Sequence, residues 1–110
     1  MSIKAIFPAG VTALTVHGLH QWDYGQELVI QAPDLPPRIE VHFACRGMEE
    51  AVVRECEVTD GQTSAAIPDP CLEQGAPITA WVYEVQETSG TTTKTITLPI
   101  IRRARPQAKN

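Results

Sequence analysis

Ile39-Glu40-Val41-His42-Phe43-Ala44-Cys45 is the stretch on which the fold turns. In an extended chain Ile39, Val41, Phe43 and Cys45 share one face and Glu40, His42 and Ala44 the other, since successive strand side chains point to opposite sides. A strand of this kind lies with one side in a core and the other toward water. In a second run, Lys94-Thr95-Ile96-Thr97-Leu98-Pro99-Ile100, Ile96, Leu98 and Ile100 oppose Thr95, Thr97 and Pro99. Pro99 offers no backbone donor, which marks an edge or a strand end.

Outward from these two runs, Glu27–Gln31, Ala51–Val58, Thr63–Ile67 and Ile78–Gln86 read as four more strands, with Ile3–Phe7 or Val11–Val16 as a seventh and the other as an eighth. Asp60-Gly61 and Ser89-Gly90 read as hairpin turns in which glycine takes a positive φ, so the strands flanking each are expected to be antiparallel neighbours. Pro33-Asp34-Leu35-Pro36-Pro37 interrupts the chain before Ile39, because proline fixes φ and restricts the residue before it. Pro68 to Gly75 is expected to form one helical turn, capped by Asp69, with Pro70 in its first turn and Gly75 ending it. The expected fold is all-β, an antiparallel immunoglobulin-like or fibronectin-like sandwich of about seven or eight strands. It spans residues 1–101, and residues 102–110 form a basic polar tail or the start of a linker.

A chain of 110 residues is the size of one domain and can bury roughly two thirds of its unfolded surface, so it needs no metal or disulfide to fold. No apolar stretch is long enough for a membrane span, and the first residues lack the apolar middle of a secretory signal, so a soluble protein made in the cytoplasm is expected. Cys45, Cys56 and Cys71 are odd in number, unlike a secreted disulfide framework, and read as reduced apolar residues in or near the core.

Charge is unevenly placed. Residues 1–93 carry four basic against thirteen acidic side chains, whereas Lys94, Arg102, Arg103, Arg105 and Lys109 leave residues 94–110 at +5. The basic end is either a solvated tail or a docking segment for an acidic surface. A nucleic-acid role is not expected, since the acidic body repels phosphates and the tail has no aromatic residue to stack on bases.

Enzymatic signatures are absent. His17, His20 and His42 form no zinc-ligand spacing, and Cys45 and His42 point to opposite faces of their strand, against a nucleophile–base pair. Glu49-Glu50 and the pair Glu55 and Glu57 read as solvated charge, and no glycine-rich phosphate loop occurs. Neither a catalytic site nor a metal or other cofactor is expected.

The aromatic residues concentrate in two places. In Gln21-Trp22-Asp23-Tyr24-Gly25-Gln26, Trp22 plugs one end of the sandwich, Asp23 ties a turn and Gly25 takes a conformation closed to other residues, or else Trp22 and Tyr24 form an exposed hot spot or sugar-stacking platform. The second concentration, Trp81 with Tyr83, lies on one face of its strand, and Val85 continues that face as expected core.

Gly18 to Leu28, Leu35-Pro36 with Ile39 to Phe43, Ile67-Pro68-Asp69 with Ala80 to Tyr83, and Thr95 to Pro99 followed by Arg103-Ala104-Arg105-Pro106 together resemble a small domain of phages and prophages of Gram-positive bacteria. It is the N-terminal immunoglobulin-like domain of virion structural proteins of the fibre or upper-baseplate kind, and the match runs in order over nearly the whole chain. The resemblance implies a non-enzymatic virion protein, assembled in the host bacterial cytoplasm, that docks on other virion proteins and forms a homo-oligomer in the particle. Longer members continue past Arg-x-Arg-Pro into a coiled coil, so an anchoring module and a free-standing capsid or tail decoration both stay open. The expected contact residues are Trp22, Asp23, Tyr24, Arg102, Arg103 and Arg105. A carbohydrate- or cell-surface-binding sandwich using Trp81 and Tyr83 is the alternative.

Overall fold

The computed structural model describes residues 1–107; Lys109, counted above with the basic end, lies outside the described residues. Ten strands and one helical turn are formed: β1 (Ser2–Ile6), β2 (Ala13–Thr15), β3 (Leu19–His20), β4 (Glu27–Gln31), β5 (Arg38–Ala44), β6 (Val52–Glu57), β7 (Gln62–Ala66), α1 (Asp69–Glu73), β8 (Ile78–Val85), β9 (Gly90–Leu98) and β10 (Ile100–Ile101). They make a three-stranded sheet, β1-β4-β7, a five-stranded sheet, β2-β9-β8-β5-β6, and the short pair β10-β3. The fold is an all-β sandwich.

Its core follows from the alternation. Ile39, Val41 and Phe43 of β5, Ile78, Ala80 and Val82 of β8, and Ile96 and Leu98 of β9 pack with Leu28 and Ile30 of β4, Ala5 of β1 and Ala65 of β7. Each large side chain taken fully out of water contributes about 1.5–3 kcal/mol. Cys45, Cys56 and Cys71 are all buried free thiols, as expected.

Three features of the expected architecture are corrected. First, the sandwich is not wholly antiparallel, for β1 runs parallel to β4, β2 to β9 and β3 to β10. These partners are far apart in sequence, so no hairpin dictates their direction. At Gly10, with φ 81°, the N-terminal segment turns after β1, and β2 then joins the other sheet. Secondly, the strands among the described residues number ten, because Pro99 cuts the run from Lys94 to Ile100 into β9 and β10 and because Leu19–His20 pairs with β10. Thirdly, Asp60-Gly61 makes the expected tight turn, with φ of 53° and 72°, but the pairing ends at the Thr59↔Gln62 bridge. β6 then belongs with β5 and β7 with β4, so the turn carries the chain between sheets instead of joining neighbours.

Ser89-Gly90 does join antiparallel neighbours, β8 and β9. Gly90 leaves space there and takes no positive φ: a Cβ would overlap the hydroxyl end of Tyr83. The expected Asp69 cap is not made either. Pro68 is the N-cap residue and Asp69 the first helical residue, with no side-chain capping bond.

β8 holds the correction that matters most for function. Ile78, Ala80 and Val82 face the core, so Trp81 and Tyr83 lie half-buried on the outer face and Val85 is 55% exposed. With apolar residues on both faces of this run, alternation alone cannot choose. The register does, since Val82 lies opposite Val41 and Ala80 opposite Phe43, two buried positions of β5. Lys94, grouped above with the basic end, instead points inward. It is 3% exposed, with Nζ 3.1 Å from Asp34 Oδ1 and 5.7 Å from the Phe7 ring centre.

Candidate functional site

The segment after β3 is held by backbone bonds before any side chain acts. Gln21 N–H donates to Ile101 O at 2.8 Å, Trp22 N–H to Leu72 O at 3.1 Å and Asp23 N–H to His20 O at 3.3 Å. These bonds place Trp22 at φ 74°, the left-handed region in which a bulky side chain is an outlier, and such outliers gather at functional sites. Gly25, at φ 71°, adopts the conformation expected of it. Its N–H donates to Asp69 Oδ1 at 3.1 Å, which is where the carboxylate expected to cap α1 is used.

α1 supplies the second wall. Tyr24 Oη donates to Glu73 Oε2 at 2.7 Å, and Gln21 Nε2 donates to Glu73 O at 2.9 Å. The Glu73 hydrogen bond, helped by partial loss of water, raises the Tyr24 phenol above its ordinary value, while Arg105 acts in the opposite direction.

The C-terminal segment closes the cluster. Arg103 N–H donates to Gln21 Oε1 at 3.3 Å, and the Arg105 guanidinium carbon stands 5.0 Å from the Trp22 ring centre, within cation–π range. A Cβ on Gly75 would lie 3.1 Å from the Gln21 carboxamide and 3.2 Å from Arg102 Nε, so glycine at 75 admits both chains.

The six expected contact residues therefore meet at one end of the sandwich, although the sequence placed them in two separate groups. Trp22 and Asp23 are half-buried, and Tyr24, Arg102, Arg103 and Arg105 are exposed. Two expectations change. Trp22 is no end-plug, because it lies outside the buried core cluster and under Arg105. Asp23 ties its turn through the backbone N–H, and its carboxylate makes no hydrogen bond or ion pair among the described residues. Sequence reasoning missed Gln21, Glu73 and Gly75 as partners. The available signal was Gly75 at the end of a helical turn, but nothing local says that a distant arginine packs on it.

A second surface lies on the outer face of the five-stranded sheet. The Tyr83 and His42 rings stack with centres 4.7 Å apart, and His42 Nε2 is 2.8 Å from Glu40 Oε1. Trp81 lies opposite His42 on β5 and Thr95 on β9. His42 thus belongs to this face, whereas His20 is on β3. Among the described residues no group of three or more His, Cys, Asp and Glu side chains could hold a metal ion.

No family model matches this sequence, and no relative is found among the curated proteins.

Proposed function

We propose that the chain is a non-enzymatic docking module of a bacteriophage virion, contacting other virion proteins through the end built from Trp22, Asp23, Tyr24 and Arg102, Arg103 and Arg105. One observation carries this reading: the arginine-bearing C-terminal segment lies back on an aromatic turn held in an unfavourable backbone conformation, with Arg105 5.0 Å from the Trp22 ring centre and Tyr24 48% exposed. Trp, Tyr and Arg are the residues that dominate interface energetics, and a cluster fixed by backbone bonds loses little freedom when a partner binds. The resemblance to the immunoglobulin-like N-terminal domain of phage fibre or upper-baseplate proteins supplies the particle. On this reading the chain is assembled in the host cytoplasm, incorporated in several copies, and serves as a fibre or baseplate attachment or as a capsid decoration. The test is co-sedimentation of the purified chain with particles lacking it, comparing wild type with a variant carrying Trp22→Ala and Arg105→Ser. Equal binding by both rejects the end cluster as the contact.

The outer face favours a second reading, a carbohydrate- or cell-surface-binding sandwich. Trp81 and Tyr83 are turned away from the core, and aromatic faces flanked by threonine hydroxyls suit the apolar face and hydroxyl rim of a sugar. Loss of glycan retention in Trp81→Ala, with particle binding unchanged, would separate this reading from the first.

A further inference from the structure

Cys45-Arg46-Gly47-Met48 folds back on itself. Met48 N–H donates to Cys45 O at 3.2 Å, and Gly47, at φ 84°, supplies the conformation that closes the turn. The consequence is a convergence of three sulfur atoms. Met48 Sδ lies 3.4 Å from Cys45 Sγ and 3.7 Å from Cys71 Sγ, the latter delivered by α1.

We propose that Cys45, Met48 and Cys71 form a binding site for a soft monovalent metal ion of the Cu(I) class. A metal–sulfur bond is about 2.3 Å, so three sulfurs around one ion in a plane stand about 4 Å apart. Met48 Sδ already stands 3.4 Å from one thiol sulfur and 3.7 Å from the other, so an ion drawn between them requires the thioether to move outward by only about half an ångström. Two thiols and a thioether, with no oxygen or nitrogen ligand, select a soft ion over magnesium or calcium, and three donors fall short of the four that structural zinc takes. Cys45 is 9% exposed, Cys71 1% and Met48 37%, so the thioether is the movable cover and the thiols are the shielded floor.

Binding converts both thiols to thiolates, so each Cu(I) taken up releases two protons to solvent and copper does not change oxidation state. Proton release makes affinity rise with pH. Cys56 is a built-in control, since its thiol turns instead to Arg54 O and Ser64 O, at 3.6 Å each.

The experiment is anaerobic titration of the reduced full chain with Cu(I) held by the coloured chelator bicinchoninate. Wild type is expected to withdraw one equivalent, Cys45→Ser and Cys71→Ala to lose at least about a hundredfold in affinity, and Met48→Leu about tenfold, with Cys56→Ser unchanged. Met48 is exposed, so its variant reports on the site even if Cys71→Ala folds poorly. A folded, reduced wild type that leaves the chelator's absorbance unchanged overturns the proposal. So does undiminished uptake in Met48→Leu together with loss in Cys56→Ser.

Discussion

The Arg105 guanidinium stands over the Trp22 indole, its carbon 5.0 Å from the ring centre, and thereby joins the end of the described chain to a turn near its beginning. A cation–π contact at an exposed site contributes about 0.5–1 kcal/mol. Arg105→Ser should therefore lower stability by no more than about that amount, measured by urea unfolding, while particle binding falls and loses much of its salt dependence. A large loss of stability with unchanged binding would make the contact structural only.

Trp22 itself offers a sharper comparison. A non-glycine residue in the left-handed region costs roughly 1–2 kcal/mol, and Trp22 has φ 74°. Trp22→Gly removes that cost and Trp22→Ala keeps it, so the glycine variant should be the more stable of the two by about 1 kcal/mol although it removes one carbon more. Neither should bind particles. Equal unfolding midpoints would mean that the turn holds no strain.

Much of the sandwich was legible for a simple reason: β5 and β7 each place apolar and polar residues so that one face fits a core better than the other. β8 was not legible, because Trp81, Tyr83 and Val85 make its outer face as apolar as its inner one, and only pairing with Val41 and Phe43 settles which is buried. The parallel strands were hidden because their partners are set by tertiary contacts and not by a turn. At the candidate site the residue types were legible, but the bond from Arg103 N–H to Gln21 Oε1 joins residues too distant for any local pattern to connect.

Asp34 and Lys94 give a prediction in pH. The hydrogen bond from Lys94 lowers the Asp34 carboxyl below its ordinary value, against an opposing effect of lost hydration. A depressed folded-state value contributes stability above the unfolded value of about 3.9 that is lost as pH falls through the folded one. Wild type should thus lose stability from about pH 4 downward more steeply than Asp34→Asn. At neutral pH Asp34→Asn, which strands the buried Lys94 charge, should unfold at lower temperature than Lys94→Met, which removes the charge as well. The reverse order would show that the ion pair does not secure this loop.

Tyr24 titrates in the opposite sense. Its hydroxyl donates to Glu73 Oε2 at 2.7 Å and its ionisation is raised, so any stability from this bond is full below the unfolded value near 10 and is lost as pH rises through the folded value. Ultraviolet difference titration of wild type and Tyr24→Phe should reveal a phenol ionising above the usual range. Glu73→Gln should bring it down. No movement in Glu73→Gln would remove Glu73 from the cluster.

Gly90 sits where a Cβ would overlap the hydroxyl end of Tyr83, whose ring stacks on His42. Gly90→Ala should cost about 1–3 kcal/mol through overpacking. Tyr83→Leu combined with Gly90→Ala should recover part of the loss, a coupling that a double-mutant cycle of thermal unfolding measures. Simple additivity would show that Tyr83 can swing aside freely.

The most direct measurement is immunogold electron microscopy of particles released from cells that express this protein, using antibody raised against the full chain, residues 1–110. The account predicts label at one fixed place on the particle, on the tail, baseplate or capsid surface, and its loss from particles assembled with the Trp22→Ala, Arg105→Ser variant. Unlabelled particles from cells in which the protein is plainly expressed, or undiminished label with that variant, would contradict it.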